Sequence, residues 1–400
     1  MDPISRRRFL IASGVTGGAA LLAGEAGFLL SHLHDRAAST PLAAGTPILV
    51  VVTMYGGNDG LNTVIPYADS AYQDARPELA YDAGEVLHLD GDLGLNPGLK
   101  GMAKLWQNKQ LAIIRGVGYP KPDHSHFRSM DIWQTASPSA PVNTGWIGRW
   151  LDATGDDPIR AVNVGSILPP LVVGAKATAA ALSIGKATPL PAGVTTALVG
   201  LAKSDASDTA SEAMVCSAYA AQRKVAATFD PVVGGQRSGD VEGDGLKAQL
   251  AVVGQCVKAG VPTKVYSVSL DGFDTHADEK ETQQGLLEVL DSALSGFLAD
   301  MATDARGRGV VVLVYSEFGR RVAANASQGT DHGTAGPVFV VGPPVKGGFY
   351  GAQPSLRDLD DGDLKSTVDF RAVYGEIVHK TLGADPHQVL DTVPGELGFL

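Results

Sequence analysis

Cysteine is nearly absent from this chain: Cys216 and Cys256 are the only two among 400 residues. Two cysteines so far apart form no metal-binding or haem-attachment motif, although they are able to pair in an oxidising compartment. No Gly-rich dinucleotide fingerprint follows a strand, so the sequence argues against a redox enzyme built on cysteine clusters, haem or a nicotinamide. Positive charge is also scarce. Lys and Arg total 32 against 43 Asp and Glu, a formal net charge of -11. That balance argues against nucleic-acid binding. Repeats and low-complexity tracts are missing too. With 44% hydrophobic and 19% charged residues, the composition is that of an ordinary globular protein.

The start of the chain is different in kind. Ser5-Arg6-Arg7-Arg8-Phe9-Leu10 has the form of a twin-arginine export signal, followed by a weakly apolar, Gly/Ala-rich segment from Ile11 to Leu30. That segment is about as long as a membrane span, but Gly14, Gly17, Gly18, Gly24, Gly27 and Glu25 weaken it as a permanent anchor. Ala37-Ala38-Ser39 is a candidate cleavage region. The twin-arginine translocase carries proteins that are already folded, so the expected location is exported: periplasmic, cell-envelope or extracellular. Membrane contact is expected only through an uncleaved signal. Residues 1–45 are therefore set apart from the fold.

Residues 46–400 suffice for one large α/β domain, with 165–245 as a possible inserted lobe or set of loops. The run 47–55 is continuous, apolar and β-branched, as buried parallel strands are. Residues 110–117, 263–270, 309–315 and 337–341 read as further strands. Helices are expected over 99–108, 125–135, 246–259, 283–301 and 367–382. In the fourth of these Leu286, Leu287, Leu290, Leu294, Phe297 and Met301 recur at helical spacing. Strands alternating with helices predict a doubly wound, mostly parallel sheet flanked by helices.

The polar clusters follow that alternation. Asn58/Asp59, Asp271/Asp274/His276 and Ser316/Glu317 each come just past the C-terminal end of an expected strand, the edge where open parallel sheets bind ligands. Asp331/His332 precedes another strand and is able to join them. Carboxylates with imidazoles suit Zn, Mn or Ca, as one or two ions. His124-Ser125-His126 places a hydroxyl near a helix N-terminus, which favours anions. Each cluster also has a plain structural reading. Asn58-Asp59-Gly60 makes a tight turn, Asp271–Asp274 caps the next helix, and Glu317 pairs with Arg320 or Arg321. Asp331-His332 is a hydrogen-bonded loop in that reading, and Ser125 is an N-cap. His88, His379 and His387 read as structural or exposed.

Five stretches carry a resemblance: Tyr55-Gly-Gly-Asn-Asp-Gly-Leu-Asn62, His124-Ser-His-Phe127, Leu270-Asp-Gly-Phe-Asp-Thr-His276, Tyr315-Ser-Glu-Phe-Gly-Arg320 and Asp331-His-Gly-Thr334. In them the chain resembles a large family of twin-arginine-exported bacterial proteins of unknown function, itself similar to the alkaline phosphatase and sulfatase superfamily. The resemblance implies an alkaline-phosphatase-like fold. It implies metal ligands among Asp59, Asp271, Asp274, His276, Glu317, Asp331 and His332, and Ser125 as nucleophile. Asn58, His124, His126 and Arg320 stand beside them as expected substrate contacts. Where the superfamily has Asp-His, this chain has Glu317-Phe318, and Phe binds no metal. No Cys occupies the nucleophile loop, so a formylglycine mechanism is not expected. The function implied is a metal-dependent hydrolase of phosphate or sulfate esters, small or polymeric, with Ser125 or a metal-activated water attacking. The alternative is a non-catalytic envelope protein that binds glycans, phosphorylated polymers or a co-secreted partner.

Overall fold

Seven consecutive apolar or β-branched residues, Ile48–Met54, form strand β1, and every one is buried. A computed structural model describes residues 41–182 except 156 and 166, residues 224, 228, 229 and 232, and residues 245–400. The twin-arginine stretch, Cys216 and almost all of 183–244 lie outside the described residues. Eight more strands join β1 in one sheet: β2 (Leu111–Gly118), β3 (Ala161–Val164), β4 (Ala180–Leu182), β5 (Val265–Leu270), β6 (Val310–Ser316), β7 (Gly336–Val341), β8 (Gly348–Tyr350) and β9 (Val368–Asp369). The order is β8-β2-β7-β6-β1-β5-β3-β4, with β9 also on β2.

The pairings of β1 with β5 and β6, of β3 with β4 and β5, and of β2 with β8 and β9 are parallel. Only β7 runs antiparallel, between β2 and β6. This reversal positions the site. It brings the N-terminal end of β7 to the edge where β1, β2, β5 and β6 have their C-terminal ends. All five polar clusters named above therefore meet along one edge.

Alternation along β1 divides the core. Ile48, Val50, Val52 and Met54 face one helix layer, with Leu250 and Val253 of α5 and Leu287, Leu290 and Leu294 of α6. Leu49 and Val51 face the other, with Trp133, Trp146, Phe370 and Tyr374. The helices are α1 (Ser70–Ala75), α2 (Lys100–Gln107), α3 (His126–Thr135), α4 (Trp146–Thr154), α5 (Leu246–Ala259), α6 (Glu279–Ala302) and α7 (Phe370–Lys380). Full burial of a Val or Leu contributes about 1.5–3 kcal/mol, so the two cores hold the strand ends rigidly. The result is a doubly wound, mostly parallel α/β sheet with helices on both faces, as the alternation predicts. Helix α6 begins at Glu279, four residues before the expected start at Gln283.

Candidate metal centre

Three imidazoles close on one carboxylate oxygen. Asp274 Oδ1 lies 3.3 Å from His126 Nε2, 3.0 Å from His276 Nε2 and 3.2 Å from His332 Nε2. His276 Nε2 and His332 Nε2 are 2.9 Å apart. The opposite ring nitrogens face acceptors. His332 Nδ1 is 2.7 Å from the His124 carbonyl oxygen, and His126 Nδ1 is 2.8 Å from Glu317 Oε1. A carbonyl or carboxylate oxygen accepts but does not donate, so Nδ1 carries a hydrogen in both rings.

That assignment tests whether a metal fits. His126 Nε2 is buried and has no hydrogen-bond partner. His126, Asp274 and His332 each aim one donor atom into a space where these atoms lie within 4.8 Å of one another. In the neutral rings Nε2 is the free lone pair, the form in which imidazole binds a metal. Ligands about 2.0–2.1 Å from a zinc ion stand roughly 3.3 Å apart, and Asp274 Oδ1 lies 3.3 Å from His126 Nε2 and 3.2 Å from His332 Nε2. The residues fit a divalent cation of borderline softness.

Charge reinforces the arrangement. Partial burial works against the Asp274 carboxylate, but hydrogen bonds from Arg320 and His332 and the Arg320 charge outweigh it and lower its pKa to about 2. Asp274 is thus an anion at any ordinary pH. The hydrogen bond to Glu317 raises the His126 pKa above the ordinary value, while burial lowers that of His332. Side-chain exposure rises from 22% for His332 to 45% for His276, so the centre opens to solvent on the His276 side.

Backbone geometry lets the loops approach this closely. Gly56 has φ +118°, and a Cβ there would stand 2.4 Å from the Asp274 amide nitrogen. At Gly57 a Cβ would stand 2.2 Å from the Phe318 ring. The Phe318 ring lies 4.9 Å from both the His126 and His332 rings and walls the centre with carbon.

Several expected site residues have other work. Arg320, expected to contact substrate, is 1% exposed. It donates to the carbonyls of Gly57 (2.6 Å), Thr330 (2.9 Å), Phe273 (2.9 Å) and Gly56, and to Asp274 Oδ1 (2.9 Å). It therefore ties three loops together and does not reach outward. Asp59, expected as a ligand, is wholly buried and pairs with Arg76 Nη1 at 2.5 Å. A carboxylate without solvent requires a paired charge, and here a guanidinium supplies it. Asn58 is buried too, its Oδ1 accepting from Thr63 Oγ1 at 3.0 Å, so it does not face substrate. Glu317 turns neither to Arg320 nor to the centre. Its Oε1 accepts from Gly56 N (2.9 Å) and His126 Nδ1, and its Oε2 from Ser316 Oγ (2.9 Å).

Asp271 is exposed, its pKa raised by partial burial and by the Glu317 charge, and it is not among the convergent atoms. Asp331 Oδ1 lies 3.6 Å from His276 Nδ1, on the far side of that ring from Asp274. His124 binds Asp363 Oδ2 through Nε2 at 2.7 Å. Ser125 occupies the N-cap of α3, yet its side chain makes no cap hydrogen bond; its backbone N–H donates to Asp123 Oδ1 at 2.8 Å. His88, His379 and His387 are exposed.

His126, expected to contact substrate, is one of three residues whose donor atoms could together hold a metal ion. Arg76, Glu279 and Asp363 gave no sequence signal. The pKa of Glu279 is raised to about 9, first by burial and then by the neighbouring Asp59 charge, so it carries a proton.

A family model described as "Protein of unknown function (DUF1501)" matches residues 206–397. No curated protein matches the chain in sequence. Among solved structures, a 2-O GAG sulfatase is similar at 10% identity and TM-score 0.35, over 76% of this chain and 65% of its own, so this chain spans about two thirds of its length. The lipoteichoic acid synthase of Listeria monocytogenes is similar at 10% identity and TM-score 0.37, over 80% and 73%. An alkaline phosphatase of the Antarctic bacterium TAB5 is similar at 11% identity and TM-score 0.37, over 75% and 92%. At these values the likenesses assign no activity.

Proposed function

We propose that this chain is an exported hydrolase of phosphate or sulfate esters that depends on one divalent cation. One observation carries the reading: His126, Asp274 and His332 each bring one donor atom within 4.8 Å of the others, and the buried His126 Nε2 has no hydrogen-bond partner. Two imidazole nitrogens and one carboxylate oxygen, with the His276 ring beside them, suit zinc better than calcium, which takes six to eight oxygens. A second ion is not part of the proposal, because Asp59 is neutralised by Arg76 and Phe318 stands where another imidazole would be needed.

A cation held there would act as a Lewis acid on a phosphoryl or sulfuryl oxygen and offset its developing charge. Ser125 is the proposed nucleophile. Its hydroxyl is exposed, makes no cap bond and lies between His124 and His126 in sequence. The N-terminus of α3 beside it favours an anionic group. Export rests on the Ser5–Leu10 signal, with the twin-arginine translocase as partner. Among the described residues no helix is long and apolar enough to cross a membrane.

The test uses protein loaded with zinc and a panel of aryl phosphate monoesters, phosphodiesters and sulfate esters. Wild type should turn over at least one class, and the His126→Ala/His332→Ala variant should lose both metal and turnover. Turnover unchanged in that variant overturns the proposal. The carbon wall at Phe318 favours a second reading, a non-catalytic envelope protein that keeps the metal to bind a ligand. Stoichiometric zinc with no turnover on the whole panel selects it.

A further inference from the structure

We propose that Glu317 is the positioning residue of this centre: its buried carboxylate holds His126 in the tautomer and orientation that present Nε2 to the cation. The inference rests on the metal reading above and adds a role outside the donor set. Glu317 follows β6 directly and is 1% exposed. Three groups fix it from three directions: Gly56 N–H from the end of β1, Ser316 Oγ from its own strand, and His126 Nδ1 from α3. With both oxygens engaged, the carboxylate has no freedom to swing toward Asp274 and act as a ligand.

The other two rings are backed differently. His332 Nδ1 meets a main-chain carbonyl, which is neutral. His276 Nδ1 lies 3.6 Å from Asp331, whose side chain is 62% exposed and so screened by water. Glu317 is the buried charge behind the centre's imidazoles, in low-dielectric surroundings where a charge-assisted hydrogen bond is strongest. It keeps the hydrogen on Nδ1, strengthens Nε2 as a donor, and fixes the plane of a ring whose faces otherwise meet only the Phe318 and His332 rings. Loss of such a partner typically costs 10–100-fold in metal affinity. The shared Gly56 N–H also joins the His126 ring to the glycine turn whose close approach brings Asp274 into place.

The test is zinc affinity of the purified chain by competition with a chromophoric chelator, with cobalt absorption as a second readout. Glu317→Gln keeps an oxygen for the two N–H groups and removes the charge. Glu317→Ala removes both. We expect about 10-fold weaker zinc binding for Glu317→Gln and about 100-fold for Glu317→Ala. The cobalt bands of Glu317→Gln should keep their number and intensity, since no ligand has been lost. In a His126→Ala background, Glu317→Gln should change affinity no further, because its effect passes through that ring. Wild-type affinity in Glu317→Gln overturns the inference. So does an additive loss in the His126→Ala background, which would make Glu317 a ligand or an independent stabiliser. If wild type itself binds no zinc, the metal reading fails before any Glu317 variant is made. If Glu317→Ala does not fold, Glu317→Gln and the double variant decide.

Discussion

Glu279 holds a proton in the folded chain that it releases on unfolding. It is wholly buried beside Asp59, and Arg76 is already committed to Asp59. Burial and that neighbouring charge raise its pKa from 4.5 to about 9. Between these two values the folded state binds one proton more than the unfolded state, so stability falls as pH rises from 4.5 to about 9. Below that window both states are protonated and the penalty vanishes; above it both are charged and the loss is complete. Glu279→Gln keeps the shape and the neutrality without the titration. Its urea midpoint should therefore decline less than wild type between pH 5 and 9, with the larger gain at the alkaline end. Parallel curves for the two proteins would show that Glu279 is charged in the fold. No sequence pattern could disclose this proton, because it arises from a helix start and a strand-end turn brought together in space. The same is true of Arg320. From the sequence it is a polar residue at a strand end, but four carbonyls and Asp274 surround it in the fold.

At the scale of elements, helix α3 separates two explanations of Ser125. A serine whose side chain caps a helix contributes about 1 kcal/mol when compared with alanine. Ser125 makes no such bond. Ser125→Ala should thus change unfolding free energy by less than about 0.5 kcal/mol while abolishing ester turnover. A loss near 1 kcal/mol with turnover intact would return Ser125 to a cap. Elements with a continuous apolar run were legible from the sequence. Ile48–Met54 and Val310–Ser316 are buried throughout, and α5 spans Leu246–Ala259 as its periodicity indicates. The start of α6 was not, because Glu279–Thr282 is polar and is held by packing against Thr330, not by periodicity. The direction of β7 was not legible either. A hydrophobic run reads the same parallel or antiparallel, and that direction decides whether His332 reaches the site edge.

For the whole molecule, strand order brings five separated motifs to one edge of the sheet, and three of them supply the candidate donor atoms. The sequence showed that Asp274, His276 and His332 follow or precede strands, and the sheet brings them to the same edge as His126. It did not distinguish a donor from the residue behind it, since Glu317 and Asp59 share the chemistry of Asp274. Burial separates them: Asp59 and Glu317 are enclosed by Arg76 and by three hydrogen-bond donors, while Asp274 is half exposed beside the imidazoles. The central claim is therefore a single cation site. Its most direct test is metal per chain by plasma mass spectrometry, on wild type and on His126→Ala/His332→Ala after equal exposure to zinc. One zinc per wild-type chain and none in the variant is the expected result. No zinc in wild type, two per chain, or equal zinc in both proteins would contradict it.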